Sequence, residues 1–213
     1  MERHLPLYLV LDVSGSMGGP PIEAVNNGLQ TVQTALRRNA QANETVWVSV
    51  ITFGGSDAKQ LFPLTEVQQF VPPVLSVGGG TPFGAALRKV KALAETEVKK
   101  NTYEQKGDWK PMVFIMTDGG PTDSYDAAIT EFKSYKWGPV IACAAGSGAD
   151  VSVLKKVTET VISLDTMDSP TIEALFVWLS SSIAAVSDKI DKAGSSDASA
   201  SELPPPPPEI KFV

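Results

Sequence analysis

The chain has 213 residues, of which 43% are hydrophobic and 20% are charged, and its formal net charge at pH 7 is −6. This length suits one well-packed domain, and the negative charge disfavours a nucleic-acid partner, which needs a basic stripe. Cys143 is the single cysteine. A single cysteine cannot form an intrachain disulfide or a multi-cysteine metal site. No disulfide-linked oligomer is expected beyond what this one thiol allows.

The sequence shows no signal-peptide pattern and no apolar run that approaches a membrane span. No basic amphipathic segment indicates a membrane surface. We therefore expect a cytoplasmic protein without a membrane partner.

Strand-like and helix-like segments alternate along the chain. Strands are predicted where β-branched, aromatic and aliphatic residues run together, and helices where apolar residues recur at steps of three and four. The predicted strands are 5–11, 45–53, 58–64, 112–116, 140–145 and 160–164, and the predicted helices are 20–36, 82–98, 125–135, 152–157 and 171–190. The strand at 58–64 is expected to end at Pro63 and to lie at a sheet edge. This alternation predicts an α/β fold with a parallel sheet covered by helices on both faces.

The composition changes near the C-terminus. From Gly194 the residues are mostly Ser, Asp and Ala, and five prolines follow at Pro204 to Pro208. Such a segment cannot bury enough apolar surface to fold alone. We expect one domain over residues 1–192 and a flexible Ser/Pro-rich tail over 193–213, whose proline run is a solvated spacer or a docking peptide.

Three predicted strand ends carry oxygen ligands. Asp12, Ser14 and Ser16 follow the first strand, Thr81 follows three glycines, and Asp118 follows the strand at 112–116. Open parallel sheets place ligands at the carboxyl ends of their strands. Oxygen-only donors suit Mg²⁺, with Mn²⁺ or Ca²⁺ as alternatives, and the absence of His and Cys disfavours zinc. Because two carboxylates balance one divalent cation, the filled site could still accept an anionic oxygen from outside.

Each motif also has a purely structural interpretation. The first loop could be only a turn with helix-capping groups, and Asp118 could cap a turn at the following glycines. Thr81 is expected to be an N-cap as well as a ligand, with Pro82 at the first helical position. Asp123 most simply starts the next helix, with a metal-supporting role as the alternative. The occurrence of all three motifs together favours the metal site.

The Asp12-x-Ser14-x-Ser16 loop, Thr81 after a glycine-rich stretch and Asp118 in Thr-Asp-Gly resemble the metal-ion-dependent adhesion site of von Willebrand factor type A domains. The resemblance covers roughly residues 5 to 190. It implies a doubly wound, mostly parallel sheet with one short antiparallel edge strand. It also implies a binding module whose metal ion engages an acidic residue of a partner protein.

A narrower resemblance rests on Asp-Val-Ser-Gly-Ser-Met from Asp12, Thr-Asp-Gly-Gly-Pro-Thr-Asp from Thr117, and the proline-rich tail. These are similar to TerY-type proteins of bacterial tellurium-resistance and stress-response systems. This similarity implies a cytoplasmic module acting with a Ser/Thr kinase and a phosphatase.

An enzymatic alternative is a Mg²⁺-dependent phosphohydrolase or phosphoacceptor, since an acidic loop after a first strand also occurs in phosphoaspartyl chemistry. Such enzymes need a second carboxylate two residues on, where this chain has Ser14, and no Lys or His stands at a motif position. We therefore expect a non-enzymatic module. A third possibility is that the chain is a substrate of a partner kinase, phosphorylated between Ser195 and Ser201.

Overall fold

The computed structural model describes residues 3–193 and 203–213. Its described strands form one seven-stranded sheet. The strands are β1 (Leu5–Asp12), β2 (Val46–Gly54), β3 (Asp57–Glu66), β4 (Met112–Thr117), β5 (Val140–Ala145), β6 (Val161–Leu164) and β7 (Ile210–Phe212). Their spatial order is β3-β2-β1-β4-β5-β6-β7, with parallel pairing from β2 to β6 and antiparallel pairing at both edges.

Helices cover both faces of this sheet. They are α1 (Pro20–Arg38), α2 (Ala40–Thr45), α3 (Phe83–Glu97), α4 (Asp126–Lys133), α5 (Val151–Val157) and α6 (Ser169–Ala193). The apolar residues of α1, α2 and α6 belong to the core on one face, and those of α3, α4 and α5 belong to the core on the other. This arrangement confirms the predicted doubly wound α/β fold. The short helix α2 was absent from the prediction, because six mostly polar residues carry no clear apolar period.

The order of the strands creates a crevice between β1 and β4. The chain adds β2 and β3 on one side of β1, and then crosses over to add β4, β5 and β6 on the other side. The connections that leave β1 and β4 therefore turn to opposite faces, which opens a space between them at the carboxyl ends of these strands. Leu11 pairs with Met116, so Asp12 and Thr117 lie side by side at this crevice.

Strand β3 lies at the predicted edge, but the expectation that it is short and ends at Pro63 is wrong. It continues for ten residues to Glu66 and pairs antiparallel with β2. Proline lacks the N–H that a central strand needs, but an edge strand or a bulge tolerates it. The pairing steps from Val50–Phe62 to Val48–Thr65, so Pro63 falls within a register shift.

The C-terminal segment contributes a second antiparallel edge, which the sequence did not predict. Strand β7 pairs with β6, and Ile210 is buried with 3% of its surface exposed. The indole N–H of Trp178 in α6 donates to the Pro204 carbonyl at 2.9 Å, so the proline run begins against the domain. A three-residue strand after prolines is too short for a pattern to reveal. The Ser195 to Ser201 segment lies outside the described residues.

We expect Ile210→Asp to release β7 from the sheet, because the side chain would place a carboxylate in an apolar site. The amide of Val213, which donates to the Val161 carbonyl at 3.0 Å, should then exchange with solvent faster. Hydrogen–deuterium exchange with peptide resolution measures this. Lys211→Ala is the matched control, because Lys211 is exposed and pairs only at the surface with Asp165. Unchanged exchange in Ile210→Asp would contradict the role assigned to this residue.

Helix α6 corrects the expectation that no apolar run approaches a membrane span. The span Ser169–Ile190 is 22 residues long and contains a window of 18 residues with a mean hydropathy of 1.3, which meets the length and composition of a membrane span. The reason is packing, because one side of α6 lies on the sheet and another on α1. Phe176 and Leu179 have no exposed surface. A core helix covered from two sides meets the same test as a membrane helix.

Cys143 lies in the middle of β5 with no exposed surface. Burial raises the pKa of its thiol well above the ordinary value, which disfavours the reactive thiolate. Cys143 therefore serves as a small residue of the hydrophobic core.

Candidate metal site

The crevice between β1 and β4 holds the first of the predicted motifs. Asp12 is the last residue of β1, and a short 3-10 helix at Gly15–Met17 follows Ser14. A neighbouring loop fixes this turn, because the Gly78 amide donates to the Val13 carbonyl at 2.7 Å and the Gly15 amide donates to the Gly79 carbonyl at 2.8 Å. The glycines before Thr81 therefore hold the first motif in place.

Four predicted ligands form one hydrogen-bonded group. Asp12 Oδ1 accepts from the Ser14 amide at 2.7 Å. The Ser14 and Ser16 hydroxyls are 3.1 Å apart, and Ser16 Oγ donates to Asp118 Oδ1 at 2.8 Å. Ser14 Oγ is 3.5 Å from the same Asp118 oxygen. Residues that are more than a hundred positions apart in sequence thus converge on one small volume.

Thr81 is buried beside this group, with 6% of its surface exposed. Its amide donates to Thr122 Oγ1 at 2.9 Å, and its carbonyl accepts from the Phe83 and Thr122 amides. A Cβ built on Gly119 would lie 3.7 Å from Thr81 Oγ1, which places the hydroxyl next to the residue that follows Asp118. Within the described residues, no hydrogen bond is made by this hydroxyl.

The predicted N-cap role of Thr81 is wrong. Helix α3 begins at Phe83 after Pro82, and neither residue before it caps the helix with a side chain. The Asp123 carboxylate takes that role, accepting from the Gly84 amide at 2.9 Å and the Ala85 amide at 2.8 Å. The expectation that Asp123 starts the next helix is wrong as well, because α4 starts later, at Asp126. The Thr81 hydroxyl is thereby left for another partner.

Asp123→Ala is expected to lower the free energy of unfolding by about 1–2 kcal/mol, the usual cost of losing a side-chain cap. Asp123→Asn keeps one acceptor oxygen and should lose less. Urea unfolding measures both variants, and Mn²⁺ affinity should stay unchanged in each. A variant of unchanged stability with lost Mn²⁺ affinity would instead identify Asp123 as a ligand.

Thr117 is a further residue of the candidate site, and the sequence alone did not point to it. Its hydroxyl donates to Asp12 Oδ2 at 2.5 Å, so both carboxylate oxygens of Asp12 have a hydrogen-bond donor. A threonine directly before Asp118 is a recognisable signal only once β1 and β4 are known to be neighbours. Thr117 acts as a positioning residue for Asp12.

The electrostatics of the group favour a bound cation. Asp12 is 1% exposed and Asp118 is 7% exposed, and no Lys, Arg or His in the described part of the chain forms an ion pair with either. Burial raises the pKa of Asp12 above its ordinary value, and the charge of Asp118 adds to this, while hydrogen bonds from Thr117 and Ser14 oppose it. A divalent cation would remove the cost of two uncompensated carboxylates.

The donor set fits a hard divalent cation. It combines two carboxylates with three neutral hydroxyls, one of which, on Thr81, is buried without a hydrogen-bond partner among the described residues. Those residues include no cluster of three or more His, Cys, Asp or Glu side chains, so the candidate site depends on its hydroxyls. Carboxylate and neutral oxygen donors suit Mg²⁺ and Mn²⁺.

A doubly wound sheet with oxygen donors at the crevice where its strand order reverses defines an α/β domain with a candidate metal site. The model of the von Willebrand factor type A domain family matches residues 7–121, more than half of the 213-residue chain. The chain belongs to this family. No curated protein sequence matches it significantly.

Solved structures share the fold at low sequence identity. The pilus adhesin SpaC from Lactobacillus rhamnosus GG is 16% identical with a TM-score of 0.67, over 86% of this chain and 31% of that one. Proximal thread matrix protein 1 from the mussel byssus is 18% identical with a TM-score of 0.61, over 86% and 48%. Manganese-loaded TRAP protein from Plasmodium vivax is 21% identical with a TM-score of 0.58, over 82% and 74%. The chain spans less than half the length of the first two proteins.

Proposed function

We propose that this chain is a metal-dependent protein-binding module that engages a carboxylate of a partner through a bound Mg²⁺. One observation carries the proposal: two buried carboxylates and three hydroxyls converge, and no positively charged side chain of residues 3–193 or 203–213 pairs with these carboxylates. Asp12 and Asp118 together offset the two positive charges of a divalent cation. Since the hydroxyls add no charge, the filled site can attract a further anionic oxygen.

Asp12, Ser14, Ser16, Thr81 and Asp118 would hold the ion. When bound, it supplies a positive centre for an oxygen ligand from outside. Asp12 is oriented by Thr117 and by the Ser14 amide, and Asp118 by Ser16. The choice of Mg²⁺ rests on the donor set, and Mn²⁺ is the nearest alternative. Among the solved relatives, the TRAP structure is manganese-loaded and one structure of the mussel protein has a zinc-occupied MIDAS motif.

The surroundings of the group support access by a large partner. Ser16 is exposed at its outer side, and so are the glycines at 78, 79 and 120. Glycines present no side chain that would hold a partner's backbone away from the site. A protein segment can therefore approach the ion closely enough to contribute a carboxylate.

The proposal extends to a cytoplasmic role in a bacterial tellurite-resistance or stress-response system with a Ser/Thr kinase and a phosphatase. Its support is the similarity of the segments that begin at Asp12 and Thr117, and of the proline-rich tail, to TerY-type proteins. Mass spectrometry of proteins captured by the chain tests this. Recovery of neither a kinase nor a phosphatase would contradict this extension and leave the binding module itself unaffected.

We propose binding rather than catalysis because both carboxylates of the site, Asp12 and Asp118, are assigned to the ion, and no third acidic side chain joins them within the described residues. Ser14 occupies the position two residues after Asp12, and each of the Asp12 carboxylate oxygens accepts a hydrogen bond. Hydrolysis of p-nitrophenyl phosphate with Mg²⁺ distinguishes the two functions. Robust turnover that Asp12→Asn abolishes would establish the phosphohydrolase instead.

The binding function is tested by affinity capture from an extract of the source cells. Wild-type chain with Mg²⁺ should retain a defined partner that is lost with EDTA and lost in Asp12→Ala. Exposed Asp126→Ala is a matched control, because Asp126 lies at the start of α4 and pairs only with Lys156 at the surface. A partner retained equally with EDTA and by Asp12→Ala would contradict the proposed function.

A further inference from the structure

The segment between Phe70 and Gly78 carries three exposed valines. Pro72 and Leu75 are buried, whereas the three valines between and beyond them point outward. Val71, Val74 and Val77 are 64%, 84% and 43% exposed. The three valines occupy every third position of the segment, and Ser76 beside Val77 is exposed as well. We call these three side chains the valine ridge.

The ridge is held in place by side chains of α1. The Asn26 amide group binds both polar backbone atoms of Leu75, accepting from its amide at 2.7 Å and donating to its carbonyl at 3.2 Å. Arg37 donates to the Phe70 carbonyl at 3.1 Å. The backbone of the segment is therefore fixed at Phe70 and at Leu75, and this ordered backbone presents the exposed valines.

A pocket of about 250 Å³ lies at the Val77 end of the ridge. Its apolar wall is formed by Val13, Leu61 and Val77, and its remaining lining includes Asp57 and Lys59 on β3. Asp57 and Lys59 carry opposite charges, so the pocket has no net charge to favour a charged occupant. Leu61 is 41% exposed, so this wall offers apolar surface to an occupant, while Thr52 and Ser76 add polar lining.

This pocket is linked to the candidate metal site through Val13. Val13 lies between the proposed ligands Asp12 and Ser14, and its carbonyl accepts from the Gly78 amide at 2.7 Å. Eight large hydrophobic side chains are exposed in the described residues. Four of these eight belong to this surface, namely Leu61 and the three valines of the ridge. A concentration of exposed apolar side chains next to a binding site marks a contact surface.

We propose that the partner segment carries aliphatic residues on one side of its metal-binding carboxylate, with one side chain filling the pocket and the next lying along the valine ridge. This inference rests on the proposed function, because the ion fixes the carboxylate and thereby sets the register. The occupant is an extended acidic-aliphatic segment of another protein. Contacts to aliphatic side chains, rather than the charge alone, then determine which acidic segment binds.

A displayed library of random peptides with one fixed central Asp tests this, selected on the full chain with Mg²⁺. Wild-type chain should enrich aliphatic residues on one side of the Asp. The Val74→Ser/Val77→Ser variant should lose this preference and bind the selected peptide about tenfold more weakly. Both valines are exposed, so the fold should tolerate the change. Val177→Ser is the matched control, a valine of α6 that is 50% exposed and lies outside this surface.

The outcomes separate this inference from the function on which it rests. EDTA-sensitive selection of the fixed Asp with no aliphatic preference, or with a preference that survives Val74→Ser/Val77→Ser, would overturn this inference alone. Selection that is indifferent to EDTA would overturn the proposed function together with it. Loss of the preference in the Val177→Ser control would also contradict the assigned surface.

Discussion

Asp12→Ala is expected to lower the affinity of the chain for Mn²⁺ by about 100-fold or more. The substitution removes one of two carboxylates that balance the charge of the ion. It also removes the acceptor for the Ser14 amide, which shapes the loop that carries two of the hydroxyl ligands. Titration followed by the electron paramagnetic resonance signal of free Mn²⁺ measures the affinity directly, with circular dichroism to verify that the variant is folded.

Substitution of Thr117 should lower the metal affinity less than substitution of Asp12. Thr117→Val removes the hydroxyl that donates to Asp12 Oδ2 while it keeps the shape of the side chain. Loss of such a positioning group is expected to cost about 10–100-fold in metal affinity, and Thr117→Ser should retain most of it. If Asp12→Ala binds Mn²⁺ as tightly as the wild type, the ion is held elsewhere. Unchanged affinity in Thr117→Val alone would contradict the positioning role of Thr117.

Gly28→Val is expected to lower the free energy of unfolding by roughly 3 kcal/mol. A Cβ built on Gly28 would lie 2.1 Å from Cδ2 of Phe176, far inside van der Waals contact. Phe176 has no exposed surface, so its ring has no room to swing away. Helices α1 and α6 must therefore separate, which opens packing across one face of the sheet.

Thermal unfolding measures this effect, and a fall in Tm of roughly 6–12 °C is expected for a domain of this size. Gly120→Val is the matched control, because a Cβ at Gly120 meets no atom within 4 Å. Adding Phe176→Leu to Gly28→Val should recover part of the loss by removing the ring atoms. An unchanged Tm in Gly28→Val would show that α1 and α6 do not pack this closely.

The fold was predictable from sequence where patterns are long and regular. The apolar stripe of α1 and the continuous apolar runs of β4 and β5 fixed the alternation of strands and helices, and hence the parallel sheet. Strand β7 was not predictable, since three residues after a proline run gain their stability from the exposed edge of β6. The end of β3 was missed because an edge strand with a register shift tolerates Pro63.

The five proposed ligands were found from residue types at strand ends, and the structure brings four of them into one hydrogen-bonded group with Thr81 buried beside it. Their roles beyond this depend on contacts that sequence alone does not contain. Thr117 became visible as a positioning residue once β1 and β4 were paired. The cap of α3 comes from Asp123, nearly forty residues away, so local capping rules assigned it to Thr81 instead.

The central claim is that Asp12, Ser14, Ser16, Thr81 and Asp118 hold one divalent cation with a position left for a ligand from outside. A crystal structure of the Mn²⁺-loaded chain with anomalous diffraction tests it most directly. We predict a single strong anomalous peak in the crevice between β1 and β4, in contact with the Ser14, Ser16 and Thr81 hydroxyls and with water or an added carboxylate on its outer side. A peak coordinated by other residues, or an ion enclosed by protein ligands alone, would contradict the account.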